Sequence, residues 1–383
     1  MLMEYAIPRT LYESDHEAFR RTVRQFIRNE VLPEYSKWEE AGITPRSIWR
    51  RAGEIGILGT SIPAAYGGAG GGFKYDAIVM EELGYWGIGA PSWDLHSYIV
   101  APYLVEFGSD EQKRRWLPGM ASGEVIASIG MTEPDSGSDL KGMRTRARRE
   151  GDHYVINGAK TFITNGINGD LIVLAAKTEP ALDAKGVSLF LVDTATPGYR
   201  KGRNLHKIGN KGQDTAQLFF DDVRVPVAAL LGRENDGWRM LMHGLVQERL
   251  IVAIRSLSMC EAAFDQTLEY VRTRKAFGNP ILDFQNTRFK LAEIATAIDA
   301  MRPFLDQCVA LHARGALTPV LAAKAKLGVT EVADRVIDAC LQLHGGYGYT
   351  TDFPISRLWT DARVHRIYAG TNEVMKHIIG KAL

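Results

Sequence analysis

Cysteine is scarce. The 383-residue chain has three, Cys260, Cys308 and Cys340. Their odd number and wide spacing exclude a disulfide framework and a CxxC metal or redox site. All three fall in helix-like segments and read as reduced core residues, which suits a reducing compartment. Long apolar runs are missing too, since no segment approaches the ~18 uninterrupted apolar residues of a membrane span. The N-terminus, MLMEYAIPRTLYESD, carries acids and lacks the basic-then-apolar layout of a signal peptide. Cytoplasmic residence is therefore the expectation. Charge excess is also absent. Lys plus Arg is 46 and Asp plus Glu is 45, a formal net charge of +1. That balance argues against nucleic acid or an anionic membrane as the main partner, though not against a local basic patch for a small anion. The nine histidines are scattered, with no HExxH spacing. Without a Gly-x-Ser-x-Gly elbow or a GxxxxGK[ST] loop, metal hydrolase, serine esterase and P-loop NTPase readings lose their usual support.

What is present divides by period into three regions. Residues 1–125 read mainly as helices, with Phe19, Val23, Phe26 and Ile27 on one apolar face. The GGAGGG run at Gly67–Gly72 reads as a loop, because Phe73 stands where a third dinucleotide-motif glycine would fall. Residues 126–232 change to short alternating strands. Tyr154-Val155-Ile156, Asn157-Gly158 and Lys160–Thr164 predict a hairpin with a type I′ turn. Leu171–Ala175, Val187–Val192, Gln217–Phe220 and Val223–Val225 are further strand candidates, which suggests a small sandwich or barrel. Residues 233–383 return to long amphipathic segments and imply an antiparallel four-helix bundle, with a bend at Pro303. The expected fold class is thus mainly α, with a β domain between two helical ones.

Four polar or glycine-rich segments could carry chemistry. Met131–Asp139 (MTEPDSGSD) can present backbone N–H groups and hydroxyls to a polar ligand, or be a solvated loop. Phe162 and Thr164 set an aromatic beside a donor, which could wall a planar cofactor or belong to the core. LHGGYG at 343–348 and YAGTNE at 368–373 permit close backbone approach, and the second leads into a last helix. Thr371 there could cap that helix or help bind an anion at its N-terminus.

These segments, in this order, resemble the acyl-CoA dehydrogenase family. MTEPDSGSD is similar to its flavin loop, with Asp135-Ser136 where Gly-Ala is more usual. NGAKTFITNG, KIGNKGQDTAQLFFDDVRVP, RKAFGNPILDFQ, LQLHGGYGYT and IYAGTNEVMK resemble the family's later signatures. The likeness covers nearly the whole chain, and its wording is nearest the long-chain and isovaleryl-type branches. It implies FAD as cofactor, a homotetramer, and electron-transferring flavoprotein as the electron acceptor. The implied reaction is α,β-dehydrogenation of a fatty acyl-CoA to the trans-2-enoyl-CoA.

The resemblance also implies residue roles. Many members carry the catalytic Glu just before the C-terminal Gly-Thr, where this chain has Ala369. The related branches carry it on a bundle helix, and Gln247-Glu248-Arg249-Leu250 matches that place, so Glu248 is the expected base. Glu133 and Glu373 are rival acids. Ile129, Met131, Thr132, Ser138, Phe162, Ile163 and Thr164 are expected at the flavin. Arg274, Phe277, Gln285, Gln342, Leu343, His344, Gly345, Gly346, Thr371 and Glu373 are expected to bind it across a subunit contact. Ser138, Arg249, Tyr368, Ala369 and Gly370 are expected near the acyl-CoA. An oxidase or monooxygenase on the same fold, or a catalytically silent CoA-binding protein, are the alternative readings.

Overall fold

The computed structural model describes residues 7–383, so the first residues of the stretch read for a signal peptide lie outside it. The first region forms α1 (Ser14–Phe26), α2 (Tyr35–Ala41), α3 (Arg46–Glu54), α4 (Phe73–Tyr85), α5 (Ala101–Phe107) and α6 (Asp110–Ser122). The apolar face of α1 is buried at Val23 and Phe26, and the glycine run at 67–72 is a loop ahead of α4. A capping box starts α6. The Ser109 hydroxyl accepts from the Gln112 amide at 3.2 Å, and the Gln112 side chain accepts from the Ser109 amide at 3.0 Å. Entry to α5 runs through a π-helical stretch, Asp94–Val100.

Eight strands follow: β1 (Ala127–Gly130), β2 (Arg146–Glu150), β3 (His153–Thr164), β4 (Leu171–Lys177), β5 (Val187–Asp193), β6 (Tyr199–Asn204), β7 (Thr215–Pro226) and β8 (Leu230–Leu231). Their order is β6-β7-β3-β2-β4-β5-β8, with β1 parallel to β4. The halves join at one residue pair, Arg146 with Lys177. Alternation then decides which side chains meet. Tyr154 and Ile156 of β3, Ile172 and Leu174 of β4, Phe190 of β5 and Leu218 of β7 share one core. The opposite face of β4 and β5, at Leu171, Val173, Leu189 and Leu191, packs on Leu104, Trp116 and Leu117 of the helical region.

The hairpin expected at Asn157-Gly158 is not formed. β3 runs straight through these residues, with a register shift at Ile156/Gly158. Asn157 pairs outward, donating from Nδ2 to Asp222 at 2.9 Å. Gly158 serves close approach instead of a turn, because a Cβ there would strike Thr145. The candidates Gln217–Phe220 and Val223–Val225 are likewise one strand, β7, passing through Asp222 at φ +50°. A two-residue turn with positive φ at both positions does occur, at Phe277-Gly278 (φ +52° and +85°). It joins β9 (Lys275–Ala276) to β10 (Asn279–Pro280).

The last region is built on α7 (Gly237–Thr273), α8 (Gln285–Ala313) and α9 (Pro319–His344), with α10 (Pro354–Ala362) and α11 (Asn372–Gly380) beside them. Pro303 lies inside a continuous α8. α7 is central. Every residue from Glu248 to Cys260 is buried, so the apolar stripe read from its sequence is part of a helix covered on all sides. All three cysteines are buried and free. No helix among the described residues is long and apolar enough to cross a membrane.

Candidate active site

A fully covered helix segment selects against charge, yet the buried stretch of α7 holds Glu248, Arg249 and Arg255. Arg255 is accounted for: its Nη1 donates to Asp94 at 3.0 Å. Glu248 has no such cation among the described residues. Its Oε1 accepts from the Tyr103 hydroxyl of α5 at 3.2 Å. Burial pushes its carboxyl up to about 7, against the opposing pull of the Tyr103 hydrogen bond and the neighbouring Arg249 charge. A carboxyl titrating near neutrality is suited to taking a proton from a weak carbon acid. Arg249 is equally buried, and its Nε lacks a hydrogen-bond partner among the described residues.

Lys326 of α9 extends this cluster. Its side chain is buried, and burial followed by the Arg249 charge lowers its ammonium to about 8. Its Nζ donates to the Gly370 carbonyl at 2.5 Å. That carbonyl belongs to a left-handed turn, with Ala369 at φ +53° and Gly370 at φ +87°. Holding a non-glycine residue there costs on the order of 1–3 kcal/mol and persists only where the surroundings enforce it. Tyr368, 38% exposed, stacks on the buried His365 with centroids 5.5 Å apart. Lys326, which the sequence reading did not single out, therefore ties α9 to the Ala369-Gly370 turn and feels the charge of Arg249, the neighbour of Glu248.

The second group forms on β3. Thr132 accepts the Thr161 amide at its carbonyl (2.9 Å), docking the Met131–Asp139 loop on the strand. Beneath it Lys160, fully buried, donates to the Met131 carbonyl at 3.1 Å and to Glu133 at 2.8 Å. The Arg144 and Thr145 amides donate to Glu133 at 2.6 and 2.9 Å. Burial alone would raise the Glu133 carboxyl, but the Lys160 charge and these donors hold it below its usual range. Ser136 donates from Oγ to the Asp139 carbonyl at 2.5 Å, and Asp135 pairs with Arg144, so the unusual Asp-Ser pair is built into the loop. Ser138 is exposed.

A register shift between Lys160 and Ile163 throws Phe162 outward at φ +59°, leaving it 68% exposed while Ile163 is buried. Thr164 accepts from Gln213 Nε2 at 2.7 Å, which leaves its own hydroxyl hydrogen to donate elsewhere. Ile129 is buried in β1, and Met131 is half-buried. An exposed ring beside threonines at 132 and 164 fits a planar group with a polar edge, which is the chemistry of a flavin ring.

The remaining predicted residues, Thr371 and Glu373 apart, gather where α7 and α9 end and α8 begins. Arg274 lies over the Tyr347 ring at 5.3 Å. Tyr270 donates to the His344 carbonyl at 3.2 Å, and the two rings stack. Phe277, at the tip of the β9–β10 turn, is 94% exposed, and Gln285, Gln342, Gly345 and Gly346 are exposed as well. Leu343 is half-buried. Within this chain the group stands apart from β3: no hydrogen bond or ion pair among the described residues joins them. Thr371 caps α11, accepting from the Val374 amide at 3.3 Å. Glu373 is exposed in the first turn, where backbone amides and Thr371 lower its carboxyl.

Comparison with known proteins agrees along the whole chain. Family models described as the acyl-CoA dehydrogenase N-terminal, middle and C-terminal domains match residues 13–124, 128–223 and 235–383. The long-chain specific acyl-CoA dehydrogenase of Sus scrofa mitochondria is 46% identical over 377 residues, covering 98% of this chain and 88% of that protein. The solved acyl-CoA dehydrogenase of Geobacillus kaustophilus superposes with a TM-score of 0.96 at 44% identity, covering 98% and 99% of the two chains. A chain solved under the name electron transferring flavoprotein of Acidaminococcus fermentans gives 0.93 at 32% identity, covering 99% of each.

Proposed function

The chain belongs to the acyl-CoA dehydrogenase family of oxidoreductases, and from that premise we propose that it dehydrogenates a fatty acyl-CoA to the trans-2-enoyl-CoA with Glu248 as the α-proton base. One observation carries the assignment: of the three candidate acids, only Glu248 is buried without a cation partner and pushed up to about 7. Glu133 is neutralised by Lys160, and Glu373 is exposed at a helix N-terminus. Neither has the desolvated, near-neutral carboxyl that proton abstraction from carbon needs.

FAD, when bound, supplies the acceptor for hydride leaving the β-carbon. Phe162 walls its ring, with Ile129, Met131, Thr132, Ile163 and Thr164 along the same strand and loop. Ser138 extends toward the CoA portion. Arg274, Phe277, Gln285, the segment Gln342–Gly346, Thr371 and Glu373 serve a neighbouring subunit's flavin in a homotetramer. The Glu248 carboxylate takes the α-proton. The developing enolate charge sits at the thioester oxygen, where the Ala369 amide donates to it. Lys326 holds the turn that aims this amide. Arg249, buried beside the base, favours its ionised form, and Tyr368 borders the acyl chain. Electron-transferring flavoprotein is the proposed acceptor, and the cytoplasm the proposed location. With alanine at 369 the turn carries only a methyl group, which leaves room for long or branched acyl chains.

The test is Glu248→Gln. The variant should retain bound flavin, yet its flavin absorbance should not bleach when acyl-CoA is added anaerobically. Bleaching at the wild-type rate would overturn the assignment and redirect it to Glu373.

A further inference from the structure

The base is one half of a contact between two distant parts of the chain. Tyr103, on α5, lies 145 positions before Glu248, and its ring and hydroxyl are buried with the carboxyl. The approach is made possible from the α7 side by Gly244, one turn ahead of Glu248. A Cβ at Gly244 would collide with the Tyr103 hydroxyl and the ring carbon bearing it. α7 therefore has a notch shaped for this phenol, and the phenol ends on the carboxylate. Among the described residues this is the hydrogen bond found for the Glu248 side chain.

We propose that Tyr103 is a positioning residue for the α-proton base. It holds one carboxylate oxygen in place, leaves the other for the substrate, and stabilises the ionised form by donating to it. The proposal rests on Glu248 being the base.

The groups facing the pair are few. Arg249 follows Glu248 on α7, and its charge bears on Lys326 of α9. Glu106, one turn along α5 from Tyr103, is engaged by His243 of α7 at 2.9 Å. Arg249 favours the carboxylate by charge. Tyr103 acts by a directed bond, which requires a phenol, and its own ionisation is pushed well above the ordinary range by burial, the Glu248 charge and the hydrogen bond. It therefore stays a donor across the working pH range.

Tyr103→Phe removes the oxygen and keeps the ring. Loss of a hydrogen bond to an ionised carboxylate raises the carboxyl by about one pH unit. The ascending limb of kcat/KM, which reports the free enzyme, should move to higher pH by that amount. Activity should fall about fivefold at pH 7 and about tenfold well below it, and recover toward the wild-type plateau in alkali. A second readout avoids turnover. The carboxylic-acid infrared band that disappears in Glu248→Gln should titrate at higher pH in Tyr103→Phe than in the wild type. An unmoved limb and an unmoved band would overturn the proposal while leaving Glu248 as base. Turnover retained in Glu248→Gln would instead remove the reading on which it rests. A uniform loss of activity at every pH, with the band unmoved, would mark Tyr103 as structural and also overturn it.

Discussion

Two buried glutamates, in different parts of the molecule, have opposite environments. Glu133, beneath the loop on β3, receives Lys160 and two backbone amides and is held below its usual range. Glu248, on α7, receives one phenol and is pushed up to about 7. Both are about equally hidden from solvent, at 6% and 5%. Burial alone therefore does not make a base. The number and charge of the donors decide whether a buried carboxylate is a fixed anchor or a proton acceptor. The β region uses its acid to hold a loop, and the helical region leaves the acid proposed as base without a cation partner.

The comparison breaks most visibly at Glu248. Glu248→Gln should lower turnover by about 10²–10⁴-fold, the range for loss of a general base, in an assay of acyl-CoA oxidation with bound flavin counted separately. The next effect is on the other acid. Lys160→Met leaves Glu133 buried without its cation, which should cost about 3–5 kcal/mol in chemical denaturation and lower the retained flavin. Adding Glu133→Gln to that variant should recover much of the loss, since the stranded charge is gone.

pH sharpens the same contrast, with opposite signs. The depressed Glu133 carboxyl contributes stability above the usual carboxylate range that is lost as pH falls. The raised Glu248 carboxyl favours the protonated folded state. Its share of stability is present below the unfolded value near 4.5 and declines as pH rises to about 7. Glu248→Gln should therefore gain on the wild type by on the order of 3 kcal/mol between pH 4 and pH 8, read as the difference between two denaturation series. The smallest effect is at the exposed third acid. In Glu373→Gln, the protein that keeps its flavin should be reduced by acyl-CoA at close to the wild-type rate in a single-turnover measurement.

Much of this was legible before any coordinates. The helical regions follow from their apolar spacing, and the proposal of Glu248 comes from the resemblance to branches that carry the acid on a bundle helix. The middle region was less legible because strand pairing is non-local. Asn157-Gly158 carries the local signature of a hairpin, yet Thr145 requires that glycine from across the sheet. The real two-residue turn has phenylalanine at its first position and so lacks the usual Asn-Gly signal. Lys160 reads only as part of a strand, and its complete burial beneath the loop is a tertiary feature. Tyr103 and Lys326 gave no signal because their roles exist only where α5 and α9 meet α7 and the final turn. The one available hint was Gly244 in the midst of a long helix, where glycine costs about 1 kcal/mol and calls for a packing reason.

The central claim is that a carboxyl titrating near neutrality takes the α-proton. The direct measurement is the rate of anaerobic flavin reduction by acyl-CoA across pH in the wild type and in Glu248→Gln. A wild-type rate that rises with pH through a midpoint near 7, with no comparable reduction in the variant, is the predicted result. A rate already maximal at pH 5, or a variant reduced as fast as the wild type, would contradict it.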